Sequence, residues 1–299
     1  RGSNQAVTPT VSRPVAIPGS LKLHPDLVQF NSRSPSDNSE DVTMLRCSLL
    51  IALVFGLQVV CFGAEKIYEG EPLKVLLVTG GGAHDYKSQA VILPEVMKAR
   101  GDFDVDVLGP NWKTVSKKLE GKAWAEGYDL VVYNICGGGS EELSQNIVRV
   151  HEEDGVPAVI IHGSLHSFHW AHGKDRSKFE GEAWLKLLGI VSANHGPKAP
   201  VTVKTVKSDH PIMKGVPAEW KIAKEELYNS NQVLPSATPL AMGNTGTSKQ
   251  PEDQVCVWVN VCGKAKVFGI SLGHYNDTMN GDNFGNLLVR GMLWCCDKL

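Results

Sequence analysis

Short, almost continuous apolar runs alternate with helical segments between residues 73 and 299, and this alternation restricts the possible folds most. The clearest runs are LKVLLVT (73–79), YDLVVYN (128–134) and PAVII (157–161). Such apolar strands are typical of a parallel sheet that is covered on both faces. Because strands and helices alternate, the crossovers between strands are expected to be right-handed. The sequence therefore predicts an α/β fold with a three-layer, doubly wound, mostly parallel sheet.

The C-terminal part of the chain adds strands of another kind. Residues 201–206 alternate between apolar and polar side chains, as a half-buried strand does, and residues 238–242 form a further short run. A Gly-Lys turn at 263–264 joins the apolar runs 255–261 and 267–272. Because a hairpin is antiparallel, one edge of the sheet is expected to be antiparallel.

Five histidines fall where strands of the predicted sheet end: His84, His162, His195, His210 and His274. The carboxyl edge of an open parallel sheet is where such folds bind ligands. Imidazole transfers protons near neutral pH and binds borderline metals. We therefore predict a functional site at this edge. His210 precedes a proline, which holds it extended, so it is expected to shape a turn instead.

Other polar groups leave two alternatives open. Ser164 follows the fourth predicted strand and could be a nucleophile, but the flanking glycine pattern of a nucleophile elbow is missing. His166, His169 and His172 are spaced by three and on a helix could hold a metal. Their neighbours resemble an irregular lid, in which the same histidines would be exposed or packed.

Composition argues against several partners. The formal net charge is −2 and no lysine-rich run occurs, which gives no electrostatic reason to expect nucleic acid or an anionic membrane as a partner. The Gly-Gly-Gly loops at 80–82 and 137–139 complete no nucleotide-binding motif. No Cys-X-X-Cys motif occurs, and most cysteines are interpreted as small apolar residues.

The N-terminal region differs from the rest of the chain. Residues 1–43 are rich in Ser, Pro, Asn and Thr, so this upstream segment is expected to be disordered. It is either upstream sequence that is translated only because the start was assigned wrongly, or a real leader of unknown use. Residues 44–63 have the basic start, apolar run and small final residues of a signal peptide. A buried core helix or a lipoprotein site at Cys61 are the alternatives. We therefore predict a single domain at 64–299 that is periplasmic or secreted and leaves the membrane after cleavage.

Residues 73–297 resemble the trehalose-utilisation (ThuA-like) family, which has the flavodoxin-like fold of class I glutamine amidotransferases. The resemblance rests on VLLVTGGGAHDY (75–86), VIIHGSLHSFHW (159–170), HPIMKGVPAEWKIAKEELY (210–228) and a long block at 257–294. It implies that six residues line the site: His84, His162, His195, Glu226, Tyr228 and His274. A working amidotransferase needs a cysteine at the elbow, where this chain has His162 and Gly163, so glutamine hydrolysis is not expected.

The resemblance also implies a carbohydrate substrate, such as a disaccharide or a keto-sugar. The leading hypothesis is an enzyme with the catalytic residues His162, His195, Glu226 and His274. Of the two adjacent carboxylates, Glu225 and Glu226, one is expected to be merely solvated. The same three histidines are the hypothetical ligands of a divalent metal such as zinc. Substrate would contact His84, Tyr228, Trp170 and Asn276. The alternatives are a non-catalytic sugar-binding module and a scaffold for a homo-oligomer.

Overall fold

The computed structural model of the chain describes residues 65–168 and 182–299. This part contains eleven strands. They are β1 (Tyr68–Gly81), β2 (Gly101–Leu108), β3 (Leu130–Cys136), β4 (Ala158–Ile161), β5 (Ile190–Val191), β6 (His195–Thr205), β7 (Glu219–Tyr228), β8 (Gln232–Val233), β9 (Thr238–Asn244), β10 (Gln254–Cys262) and β11 (Ala265–Ile270). The predicted signal peptide and the segment before it lie outside the described residues.

Six α-helices connect or follow these strands in the described part of the chain. They are α1 (Tyr86–Lys98), α2 (Trp112–Leu119), α3 (Glu141–Glu152), α4 (Ala183–Leu188), α5 (Asn276–Met279) and α6 (Asp282–Cys295). Ser140 caps α3 by accepting a hydrogen bond from the Leu143 N–H, which satisfies one free donor of the first turn. Within the described residues, no helix is long and apolar enough to span a membrane.

Nine strands form one sheet in the order β2-β1-β3-β4-β11-β10-β9-β6-β7. The strands from β2 to β11 are parallel, and every pair from β11 to β7 is antiparallel. The α/β prediction with one antiparallel edge is therefore confirmed. The predicted hairpin of β10 and β11 lies in the middle of the sheet, where it joins the parallel half to the antiparallel half.

Helices cover both faces of the sheet, as the three-layer prediction requires. One apolar core contains residues of α1 and α6, such as Met97 and Leu288, packed on Leu77 of β1. The other contains residues of α2, α3 and α4, such as Ile147 and Trp184, packed on the opposite face. Burial on both faces explains why the parallel strands are apolar along most of their length.

This topology brings distant parts of the sequence to one edge of the sheet. The parallel strands β1, β3, β4 and β11 all end there. In the antiparallel half, β6 begins and β7 ends at that same edge, since His195 pairs with Tyr228. The sequence analysis placed His195 where a strand ends, whereas the structure makes it the first residue of β6.

His151 lies in the second core, away from this edge, and is fully buried. The Tyr133 hydroxyl lies 2.7 Å from its Nε2, and its Nδ1 contacts the Val156 carbonyl. A neutral ring satisfies both contacts if Nδ1–H donates and Nε2 accepts. Burial lowers the pKa of His151 from 6.5 to about 4.

We expect His151 to make the fold less stable in acid. Its pKa is lower in the folded chain than in the unfolded chain, so the unfolded chain binds the proton first as the pH falls. The contribution of the neutral ring is complete above pH 6.5 and declines between pH 6.5 and about 4. The loss amounts to about 3 kcal/mol. Urea unfolding from pH 4.5 to 7.5 measures it. His151→Gln should show a shallower pH dependence than the unaltered protein, and equal slopes would contradict the assignment.

Candidate functional site

Four side chains meet at the edge where the parallel strands end: His84, His162, Glu226 and His274. Each offers one potential ligand atom, and these atoms all lie within 4.8 Å of one another. His84 follows β1, His162 follows β4, His274 follows β11, and Glu226 is near the end of β7. We call these four residues the His/Glu cluster.

His162 is the best-fixed member of the cluster. Its side chain is 1% exposed, and its Nδ1 lies 2.6 Å from the Ser271 carbonyl oxygen. Because a carbonyl only accepts, Nδ1 carries a proton, and in the neutral form of the ring Nε2 has the lone pair. That Nε2 lies 3.3 Å from His274 Nδ1. The backbone turns sharply after β4, with a φ of +38° at His162, a conformation that the surrounding contacts must maintain.

Glu226 provides the negative charge of the cluster. Its Oε2 lies 3.2 Å from His274 Nδ1 and 3.6 Å from His162 Nε2. Burial raises the pKa of this carboxyl group, but the hydrogen bonds and charges of the two histidines outweigh burial and hold the pKa below its ordinary value. Glu226 is therefore ionised at neutral pH.

His84 contributes a ring nitrogen to the cluster that makes no hydrogen bond among the described residues. Its Nδ1 lies 3.2 Å from the Gly82 carbonyl and 2.9 Å from the Tyr86 hydroxyl. Its Nε2 is buried and has no hydrogen-bond partner among the described residues. Burial, together with His162 and His274, lowers the pKa of His84 to about 3, so the ring is neutral. A buried lone pair with no donor near it is unusual in a folded protein.

His195 and Lys198 form the outer rim of the site. His195 is 43% exposed, and its Nδ1 lies 3.6 Å from Glu226 Oε1. Lys198 pairs with Glu226 across β6 and β7, and its Nζ lies 3.8 Å from the same oxygen. His195 therefore contacts Glu226 on the side opposite the cluster, and it is outside the group of four. Sequence reasoning did not identify Lys198.

Tyr228 and His166 form an aromatic wall behind the cluster. Tyr228 is buried and its ring stacks on that of His166, with centroids 3.9 Å apart. The centroid of the His162 ring lies 4.4 Å from that of Tyr228. Sequence reasoning chose Tyr228 but left His166 as an alternative, because the spacing of three suggested a helix that also contained His169 and His172.

The remaining sequence candidates divide into four groups. Trp170, His169 and His172 lie outside the described residues. Asn276 donates to Asp85, next to His84 in the chain, at 2.9 Å. The Ser164 hydroxyl is buried and bonds the main chain at Tyr133 and Ile135, so it is not available as a nucleophile. His210 accepts from the Ile212 N–H in a turn, as predicted.

The expectation that one of the adjacent carboxylates Glu225 and Glu226 is solvated is wrong, because both are buried. Glu225 is fully buried. It accepts hydrogen bonds from the main-chain N–H groups of Gly273, His274 and Glu226 at 3.0, 3.0 and 2.9 Å. A signal was present in the sequence, since Leu227 and Tyr228 continue the strand into the core, but the strand itself was not predicted.

The cluster has the chemistry and the spacing of a metal site. Two ligands of a tetrahedral zinc ion are roughly 3.4 Å apart, because each lies about 2.0–2.1 Å from the metal. His162 Nε2, His274 Nδ1 and Glu226 Oε2 form a triangle with sides of 3.3, 3.2 and 3.6 Å. The hydrogen bond from His162 to Ser271 is the kind of contact that orients metal-binding imidazoles. The cluster could therefore hold a divalent cation.

The family of this chain follows from its similarity to known proteins. The family described as ThuA, trehalose utilisation, matches residues 74–295. The chain is a member of the ThuA family. The match runs from within β1 to the end of α6 and includes all four residues of the His/Glu cluster, so the predicted resemblance is confirmed.

Solved structures of other ThuA-like proteins share the fold. A ThuA-like protein of Parabacteroides merdae is 22% identical, with a TM-score of 0.60, over 76% of this chain and 90% of that chain. A ThuA-like protein of Bacteroides uniformis is 16% identical, with a TM-score of 0.59, over 76% and 93% of the two chains. At these identities the similarity concerns the fold alone. No curated protein matches the chain significantly.

Proposed function

We propose that this ThuA-family protein is a carbohydrate-active enzyme that binds a divalent cation at the His/Glu cluster. The cation that fits the cluster best is zinc. The observation that carries the proposal is the triangle of His162, His274 and Glu226, whose sides match the spacing of zinc ligands. The buried Nε2 of His84, which has no hydrogen-bond partner in the described part of the chain, supplies a fourth lone pair. A set of neutral imidazoles with one carboxylate suits a borderline metal.

The family description, trehalose utilisation, supports a sugar substrate, and we propose a disaccharide or a keto-sugar. Bound zinc would polarise a sugar carbonyl or activate water. The exposed side of Glu226 faces His195 and Lys198, so these two side chains are placed to contact substrate. His195 is suited to transfer a proton, and Lys198 is suited to hold a sugar oxygen that gains negative charge.

A second candidate is acid–base catalysis by the same residues without a metal. Its support is that the 3.2 and 3.3 Å distances around His274 Nδ1 are also hydrogen-bond lengths. In that case His274 would donate to Glu226 or to His162, and the three groups would shuttle a proton during enolisation or elimination beside a keto group. Metal analysis separates the two candidates.

We expect about one zinc ion per chain in protein that is purified without a histidine tag or added metal. Elemental analysis by mass spectrometry measures the stoichiometry. Removal of the ion with a chelator should abolish turnover of a keto-disaccharide, and added zinc should restore it. Metal-free protein with full turnover would favour the acid–base candidate. Sugar binding with no turnover in either state would instead support the binding module.

Export is a separate proposal, based on the signal-peptide pattern of residues 44–63. We expect the mature protein to begin near Ala64 when the chain is produced in a bacterium that can process it. N-terminal sequencing of protein from the periplasmic fraction measures the cleavage point. A mature chain that retains residues 44–63 would contradict export.

A further inference from the structure

Glu225 is buried beside the His/Glu cluster, but it is not one of the four residues that could contact a cation. Its side chain is 0% exposed. A carboxylate in such a place costs several kcal/mol unless hydrogen bonds compensate for lost water. Three main-chain N–H groups donate hydrogen bonds to its two oxygens and supply this compensation.

The three donors show what this carboxylate holds together. Two of them, Gly273 and His274, belong to the loop after β11, and the third belongs to Glu226 on β7. Strands β11 and β7 are not neighbours in the sheet. Glu225 therefore ties the backbone of one potential ligand, His274, to the backbone of another, Glu226.

We propose that Glu225 is a positioning residue for the cation site, a role that rests on the proposed function. It fixes the loop of His274 against β7, so that His274 Nδ1 lies 3.2 Å from Glu226 Oε2.

The main test is Glu225→Gln, which keeps the size of the side chain but removes its charge and turns an acceptor into a donor. Zinc affinity, measured by competition with a chromophoric chelator, should fall by about 10–100-fold, as expected for a group that orients a ligand. Cobalt(II) bound in place of zinc should show an altered visible spectrum, because the ligand geometry changes. A purely structural role would leave that spectrum unchanged.

Asn260→Ala provides the matched control for lost stability. Asn260 is buried on β10 and bonds the main chain at Lys186 and Leu187, so its removal destabilises the fold elsewhere. The zinc affinity of the Asn260→Ala variant should stay within threefold of that of the unaltered protein, a margin of about 0.7 kcal/mol. Equal losses of zinc affinity in the two variants would overturn the positioning role.

The outcomes separate the two proposals. If the unaltered protein binds neither zinc nor cobalt, both the proposed function and the role of Glu225 are wrong. If it binds zinc and Glu225→Gln binds equally well, only the role of Glu225 is wrong. Should the Gln variant not fold, Glu225→Asp keeps the charge on a shorter side chain. It should lower zinc affinity about tenfold and alter the cobalt spectrum, and unaltered values would overturn the proposal.

Discussion

Glu226→Gln should lower zinc affinity by roughly two orders of magnitude and abolish turnover. The binding free energy of a structural zinc ion is about 10–16 kcal/mol, so one of four ligands contributes roughly 3 kcal/mol. The substitution keeps the shape of the side chain but removes the only carboxylate in the cluster. Chelator competition measures the affinity, and turnover of a keto-disaccharide measures the activity.

His195→Ala is the control that distinguishes the predicted metal ligands from the observed cluster. The sequence analysis included His195 among the ligands, whereas the structure places it on the exposed side of Glu226. We expect His195→Ala to bind zinc within about threefold of the unaltered protein and to lose turnover, because the proposed function places His195 against the substrate. A hundredfold loss of zinc affinity in His195→Ala, with little loss in Glu226→Gln, would contradict the assignment of ligands.

Gly81→Ala should destabilise the fold by about 3 kcal/mol and weaken the site as well. Gly81 is the last residue of β1 and has a φ of +121°, which an alanine adopts only with strain. A Cβ at this position would lie 2.1 Å from the Cys136 carbonyl oxygen. The clash would separate β1 from β3 at the point from which the loop with His84 departs. Urea unfolding measures the stability, and chelator competition measures the site.

Gly82, the next residue in the chain, provides a matched control for Gly81. A Cβ at Gly82 would meet nothing within 4 Å, and its φ lies outside the strained range. Gly82→Ala should therefore change the free energy of unfolding by no more than about 0.5 kcal/mol. Similar losses for the two alanine variants would show that the close approach of β1 to β3 does not constrain this turn.

The parallel half of the sheet could be predicted from the sequence because each of its strands is buried on both faces. The run LKVLLVT lies within β1, and PAVII matches β4. Strand β7 was missed. Its sequence EWKIAKEELY is half exposed at the start and buried at the end, so neither an apolar run nor a regular alternation marks it. Its position depends on pairing with β6, which a local pattern does not contain.

The site was partly predictable for a related reason. His84, His162 and His274 each follow a parallel strand. Because the carboxyl ends of parallel strands lie at one edge of the sheet, the sequence predicted that these three residues are close together. The roles of His195 and Glu225 could not be obtained in this way. Whether a carboxylate points to solvent or accepts three main-chain hydrogen bonds depends on the loop after β11, which approaches β7 only when the sheet is complete.

Among the described strands of the large sheet, the pairing of β10 with β11 is where the parallel half meets the antiparallel half. The His/Glu cluster spans this junction, with three imidazoles on one side and Glu226 on the other. A cation bound there would act as a cross-link between segments that are far apart in the sequence. Its loss would permit the antiparallel half to open by itself, so amide hydrogens of β6 and β7 would exchange faster while those of β1 and β3 remained protected.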